Sequence, residues 1–125
     1  ASALALENQQ INIRRQVLHN GFYDLTRSFN AFSDFEEQEQ LCTREVLDFC
    51  VRHFGVSSEE YTLPIYSPVY SNQLSLLPPT TILVSEYDGL RNDSEYYFIK
   101  LKQAGNRVEK IVLPGQTHNT IILRD

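Results

Sequence analysis

Two residues in this chain have side chains and surroundings suited to proton transfer. Asp88 sits in the turn Glu86-Tyr87-Asp88-Gly89-Leu90-Arg91, directly after an apolar run, and His118 closes Pro114-Gly115-Gln116-Thr117-His118, directly after another. Each alone is an ordinary loop residue. Together, a carboxylate beside an imidazole makes a base held in one tautomer by an acid, the second half of a nucleophile, base and orienter arrangement. The competing use of the same residue types is metal binding. With 3 histidines distant in sequence and 2 cysteines, no spacing typical of zinc ligands occurs, so neither a metal nor a cofactor is expected.

The elements around the pair determine whether the two side chains can meet. Thr80 to Ser85 is β-branched and apolar without alternation, the pattern of a strand covered on both faces of a parallel sheet. A helix is expected from Asp93 to Ala104, with Asn92 as cap, Glu95 closing a capping box and Gly105 ending it. Arg107 to Leu113 reads as the next strand. A strand, helix and strand in this order form a parallel, right-handed unit. The loops leaving the C-terminal ends of its strands line one edge of the sheet, where ligand sites form. Asp88 follows one of these strands and His118 the next.

The rest of the chain reads as support. Ala1 to Gln10 is rich in helix formers, Asn12 to His19 is a strand candidate, and Asn20-Gly21 ends it. From Phe22 to Gln40, aromatics are scattered among polar residues without a period of 2 or 3.6. This is a cap-like or pocket-like loop over about 20–42 whose aromatics either pack as a satellite over the core or line an apolar ligand pocket, with Phe22 and Tyr23 the candidates for lining a substrate site. Thr43 to Phe54 is a helix with Thr43 as N-cap and an apolar stripe of Val46, Leu47, Phe49, Cys50 and Phe54. His53 falls where it can bond the last carbonyls of that helix, and His19 is assigned to structure. Ser57 to Leu77, with Pro64 and Pro68, is an ordered surface connection. No repeat or linker divides the chain, so residues 1–125 form one unit of α/β class.

At 42% hydrophobic residues the chain can build a core, and a net charge of −5 from dispersed acids lacks the basic footprint of a nucleic-acid binder. No membrane span or signal peptide is recognisable. Cys42 and Cys50, placed on one helix, would lie roughly 12 Å apart, too far for a disulfide. Reduced thiols favour a cytoplasmic protein.

Several of these stretches, taken in order, resemble a known family. Ser67-Pro68, Leu77-Pro78-Pro79-Thr80, Glu86-Tyr87-Asp88-Gly89-Leu90-Arg91-Asn92-Asp93, Ala104-Gly105 and Pro114-Gly115-x-x-His118, with the helix containing Arg44 preceded by Leu41-x-Thr43, are similar to the C-terminal half of α/β-hydrolases of the hormone-sensitive-lipase-like carboxylesterase family. The resemblance covers nearly the whole chain. It implies about three parallel strands with flanking helices, Asp88 as triad acid, His118 as triad base, and a small-molecule ester as substrate. Gly89 stands where the family often has proline, Asn92 where it often has aspartate, and Asn20 where a proline is common.

No Gly-x-Ser-x-Gly elbow occurs in these 125 residues, and Ser2 lacks the glycine neighbours of a nucleophile elbow. The resemblance therefore implies a piece of an esterase without its nucleophile and oxyanion loop, inactive alone. Its partner would be the missing N-terminal half, or a second copy joined through the strand edge at Ile13 to His19. The alternative is a non-catalytic hydrolase-like binding or scaffold module; a transferase or peptidase would share Asp88 and His118.

Overall fold

A computed structural model describes residues 12–27 and 43–119. The expected helix from Ala1 to Gln10, Ser2, Cys42 and most of the aromatic loop lie outside the described residues. Within them, three strands form one parallel sheet in the order β1 (Gln16–His19), β2 (Thr80–Ser85), β3 (Val108–Leu113). The register pairs Gln16 with Thr80 and Thr80 with Val108, running to Ser85 opposite Leu113. β2 lies in the middle, and all its residues but Leu83 are buried. That position accounts for its unbroken apolar run.

β1 begins later than the expected Asn12. Gln16 donates its N–H to the Pro79 carbonyl, and neither Pro78 nor Pro79 has an N–H to extend the ladder further back. β1 pairs with β2 along one side, and Val17 on it is 59% exposed.

α1 (Arg44–His53) is capped as expected, Thr43 accepting from the Val46 N–H at 3.3 Å. His53 Nδ1 meets the Phe49 carbonyl at 2.7 Å. Its expected apolar stripe is corrected by the structure: Phe49 and Phe54 are each 62% exposed, Val46 and Cys50 are exposed, and the buried position is Val51, with Leu47 packed on Leu90. The period gave the face these residues share, but among the described residues it is covered only in part, Leu47 by Leu90 and Phe54 edge-on by Tyr66.

α2 (Arg91–Gln103) crosses from β2 to β3. Ser94, Tyr97 and Leu101, three or four positions apart, are its buried face. Tyr97 and Leu101 pack with Ile82, Val84, Val69, Leu74 and Tyr23 into the core. α2 starts earlier than Asn92 would allow as a cap; Leu90 holds the cap position and makes no side-chain cap bond. The reason is Asp88, whose carboxylate accepts the Leu90 N–H while its carbonyl accepts the Arg91 N–H. Glu95, expected in a capping box, instead pairs with Arg91 and Lys110. Gly105 ends the helix at φ +83°, a left-handed turn that a side chain would strain. Ser57 to Leu77 forms the ordered connection expected, with three short 3-10 turns at Ser58–Glu60, Pro68–Tyr70 and Leu74–Leu76.

Candidate active site

At the C-terminal edge of the sheet the chain turns sharply after β2. The Asp88 N–H reaches the Ser85 carbonyl at 3.3 Å, and Asp88 Oδ1 accepts the Leu90 N–H at 2.8 Å, an aspartate turn that sets the side chain before the helix begins. Asp88 is fully buried. After β3, Pro114-Gly115 reverses the chain, with Gly115 at φ +69°.

The two turns are laced together. Glu86 N–H donates to the Leu113 carbonyl at 3.0 Å, Tyr87 N–H to the Gln116 carbonyl at 2.9 Å, and Gly115 N–H to Glu86 Oε2 at 2.8 Å. Arg91 adds to this by donating to the Glu86 carbonyl at 3.2 Å. It thus holds the acid turn by its backbone and pairs with Glu95 rather than with Asp88.

The lacing delivers His118 to Asp88. His118 Nδ1 lies 2.9 Å from Asp88 Oδ1. An ionised carboxylate only accepts, so Nδ1 carries the proton and the basic lone pair is on Nε2. The Asp88 side chain is 0% exposed and that of His118 is 22% exposed. The acid is thus screened from water while the imidazole reaches the surface. Chemically, the arrangement can take a proton at Nε2 and steady the resulting imidazolium with a buried anion.

A third residue joins the site that the sequence did not single out. Asn20, at the end of β1, adopts φ +44° and is 7% exposed. Its Nδ2 donates to Ser85 Oγ at 2.9 Å and to the His118 carbonyl at 2.7 Å, and its Oδ1 accepts the Ser85 N–H at 2.9 Å. Asn-Gly after a strand reads as a turn; nothing in that dipeptide says that the amide points back across the sheet.

Phe22 and Tyr23 go to different places. Phe22 is half-buried against Leu90, two residues beyond Asp88. Tyr23 is 5% exposed and stacks on Tyr97 with ring centroids 4.4 Å apart, inside the core. In the described structure it therefore has almost no surface to offer a ligand. The Tyr23 N–H donates to Asp93 Oδ2, and burial pushes the Asp93 carboxyl up to about 7, with nearby Asp24 adding to the rise and the Tyr23 N–H opposing it. Burial likewise raises the Tyr97 hydroxyl to about 12.

Among the described residues, no group of three or more His, Cys, Asp or Glu could hold a metal ion, and no helix is long and apolar enough to cross a membrane.

Residues 1–122 match the α/β-hydrolase fold family. The chain is 23% identical over 118 residues to an arylesterase of Saccharolobus solfataricus, covering 94% of this chain and 39% of that protein. Among solved structures it is similar to a hyperthermophilic esterase from the archaeon Pyrobaculum calidifontis, with 24% identity, a TM-score of 0.82, and coverage of 96% of this chain and 40% of that one. A hormone-sensitive lipase from a metagenome library also has a TM-score of 0.82, with 28% identity and coverage of 94% and 40%. The chain thus spans less than two fifths of the length of the curated relatives it matches.

Proposed function

Because this chain belongs to the α/β-hydrolase fold family, we propose that it supplies the acid and base, Asp88 and His118, of a serine carboxylesterase or lipase. The observation that carries the reading is the 2.9 Å contact between His118 Nδ1 and the fully buried carboxylate of Asp88. His118 Nε2 takes the proton from a serine hydroxyl as its oxygen attacks the ester carbonyl, then returns it to the departing alcohol. A water deprotonated at the same nitrogen releases the acid product. Asp88 keeps Nδ1 protonated and balances the imidazolium in both steps.

The serine and the oxyanion donors come from outside these 125 residues, which contain no Gly-x-Ser-x-Gly elbow. The other strands of the domain pair along the open side of β1 near Ile13 to His19; a second copy joined there is the other way to cover that edge. Phe22 beside Leu90 favours an apolar acyl or alcohol group over a charged one, and the esterases and lipase to which the chain is similar support the ester class. An exposed, free Cys50 fits a cytoplasmic setting.

The test is hydrolysis of p-nitrophenyl butyrate by the full-length protein and by these 125 residues alone. The full-length protein should turn over and be titrated covalently by a fluorophosphonate, while the piece should not exceed the background of free imidazole. Turnover by the piece, or a full-length protein inert to both reagents, would reject the reading, and the second result would favour a scaffold that keeps only the hydrolase shape.

A further inference from the structure

We infer that Asn20 is a positioning residue for the base: its side-chain amide fixes the His118 backbone over the end of β2 so that Nδ1 meets Asp88. The inference rests on the proposed role of His118.

The polarity of the contacts leaves one orientation for the amide. A carbonyl only accepts and a backbone N–H only donates. The atom facing the His118 carbonyl at 2.7 Å must therefore be nitrogen, and the atom facing the Ser85 N–H at 2.9 Å must be oxygen. The second amide hydrogen goes to Ser85 Oγ at 2.9 Å. Both donors and the oxygen are engaged, in a side chain shielded from water, so the group is held rigidly.

Its backbone angle is one that asparagine tolerates and most residues do not. Asn20 sits at φ +44°, in the left-handed region that side chains other than asparagine and aspartate seldom adopt. Its N–H still reaches the Leu83 carbonyl at 3.1 Å, extending the β1 and β2 ladder by one rung. Leaving the ladder at this angle sends the amide across Ser85 to a residue 98 positions away.

The two turns are laced together, but the bonds that fix the Asp88 side chain are not the bond that fixes the His118 carbonyl. The acid is fixed from β2 and α2, through the Ser85 carbonyl and the Leu90 N–H. Gly115 and Gln116 are tied to the Glu86-Tyr87 turn, and past them the carbonyl of His118 itself is tied to Asn20. A shift of the imidazole by about 1 Å along its contact would stretch the 2.9 Å separation from Asp88 past hydrogen-bond range. Bonds to Ser85 alone would serve the sheet; the bond to His118 serves the base.

The test uses the full-length enzyme with Asn20→Gly, which accepts φ +44° without strain, and Asn20→Asp, which keeps the oxygen for the Ser85 N–H but sets an anionic oxygen against the His118 carbonyl. In each, kcat on p-nitrophenyl butyrate should fall about 10- to 100-fold with KM within about threefold. The downfield proton resonance of His118 Nδ1–H should broaden or vanish. In the unsubstituted protein, both Asn20 amide hydrogens should exchange slowly with solvent, a reading that needs no variant to fold. A kcat within twofold of the parent in both variants, or fast amide exchange, overturns the inference. His118→Ala, assayed alongside, separates the two readings: if it abolishes turnover while the Asn20 variants do not, the positioning role fails alone, and if it leaves turnover intact, the base assignment fails first.

Discussion

Replacing Asp88 by asparagine removes a charge while leaving the shape of the site nearly intact. Asp88 Oδ1 accepts from both the Leu90 N–H and His118 Nδ1. The backbone donor is immovable, so in Asp88→Asn the amide oxygen keeps the Oδ1 position and the amide nitrogen takes the other. The tautomer of His118 is then preserved, and what is lost is the anion opposite the imidazolium. At 2.9 Å and an effective dielectric constant of about 20, that attraction is worth about 6 kcal/mol, of which the retained hydrogen bond recovers roughly 1 kcal/mol. The ceiling is therefore about 10⁴-fold in kcat, and solvent reorganisation around the exposed side of the ring brings the expectation to about 10²- to 10⁴-fold. Because Asp88 is fully buried and offers no surface to a ligand, KM should stay within about threefold. Steady-state hydrolysis of p-nitrophenyl butyrate by the full-length variant reads both quantities. A kcat within fivefold of the parent would refute the reasoning, since no buried countercharge could then be acting on the base.

The Asp93 carboxyl, ordinarily near 3.8, is raised to about 7. The folded protein therefore holds a proton that the unfolded chain releases, so this group's stabilisation is full below about pH 4 and is lost as pH rises through about 7. Asp93→Asn removes that loss, and its gain over the parent in denaturant unfolding should be about 3 kcal/mol larger at pH 8 than at pH 5; equal gains at the two pH values would contradict it. Leu101→Ala, at a fully buried position between α2 and the sheet, should cost about 2–4 kcal/mol in the same measurement, whereas under 1 kcal/mol would mean that the core lies elsewhere. Thr43→Ala should cost about 1 kcal/mol through the lost bond to the Val46 N–H, with no change in kcat; a change in turnover would link α1 to the site.

The segment from Thr80 to His118 was legible in the sequence because each of its signals is local. An unbroken β-branched run marks a strand covered on both faces, a glycine stops the helix, and parallel pairing then puts the two following loops on one edge. The meeting of Asp88 with His118 follows from connectivity. Where local signals mislead, a partner distant in sequence intervenes. Asn92 is a good cap in isolation, but Asp88 already satisfies the first amides of α2. The start of β1 is set by the two prolines that precede the neighbouring strand, more than sixty residues away. The period of α1 says which residues share a face but not what covers it, and Phe49 and Phe54 are exposed. Tyr23 belongs by composition to a loop, yet its ring goes beneath α2 onto Tyr97. Asn20 is the extreme case, a turn residue whose amide bonds to a carbonyl 98 positions on.

The most direct measurement is the turnover of His118→Ala in the full-length protein on p-nitrophenyl butyrate. If the imidazole beside Asp88 is the base, kcat falls by about 10³-fold or more while KM hardly moves. A variant that keeps its rate to within tenfold would leave the proton with some other group and the acid and imidazole with a purely structural role.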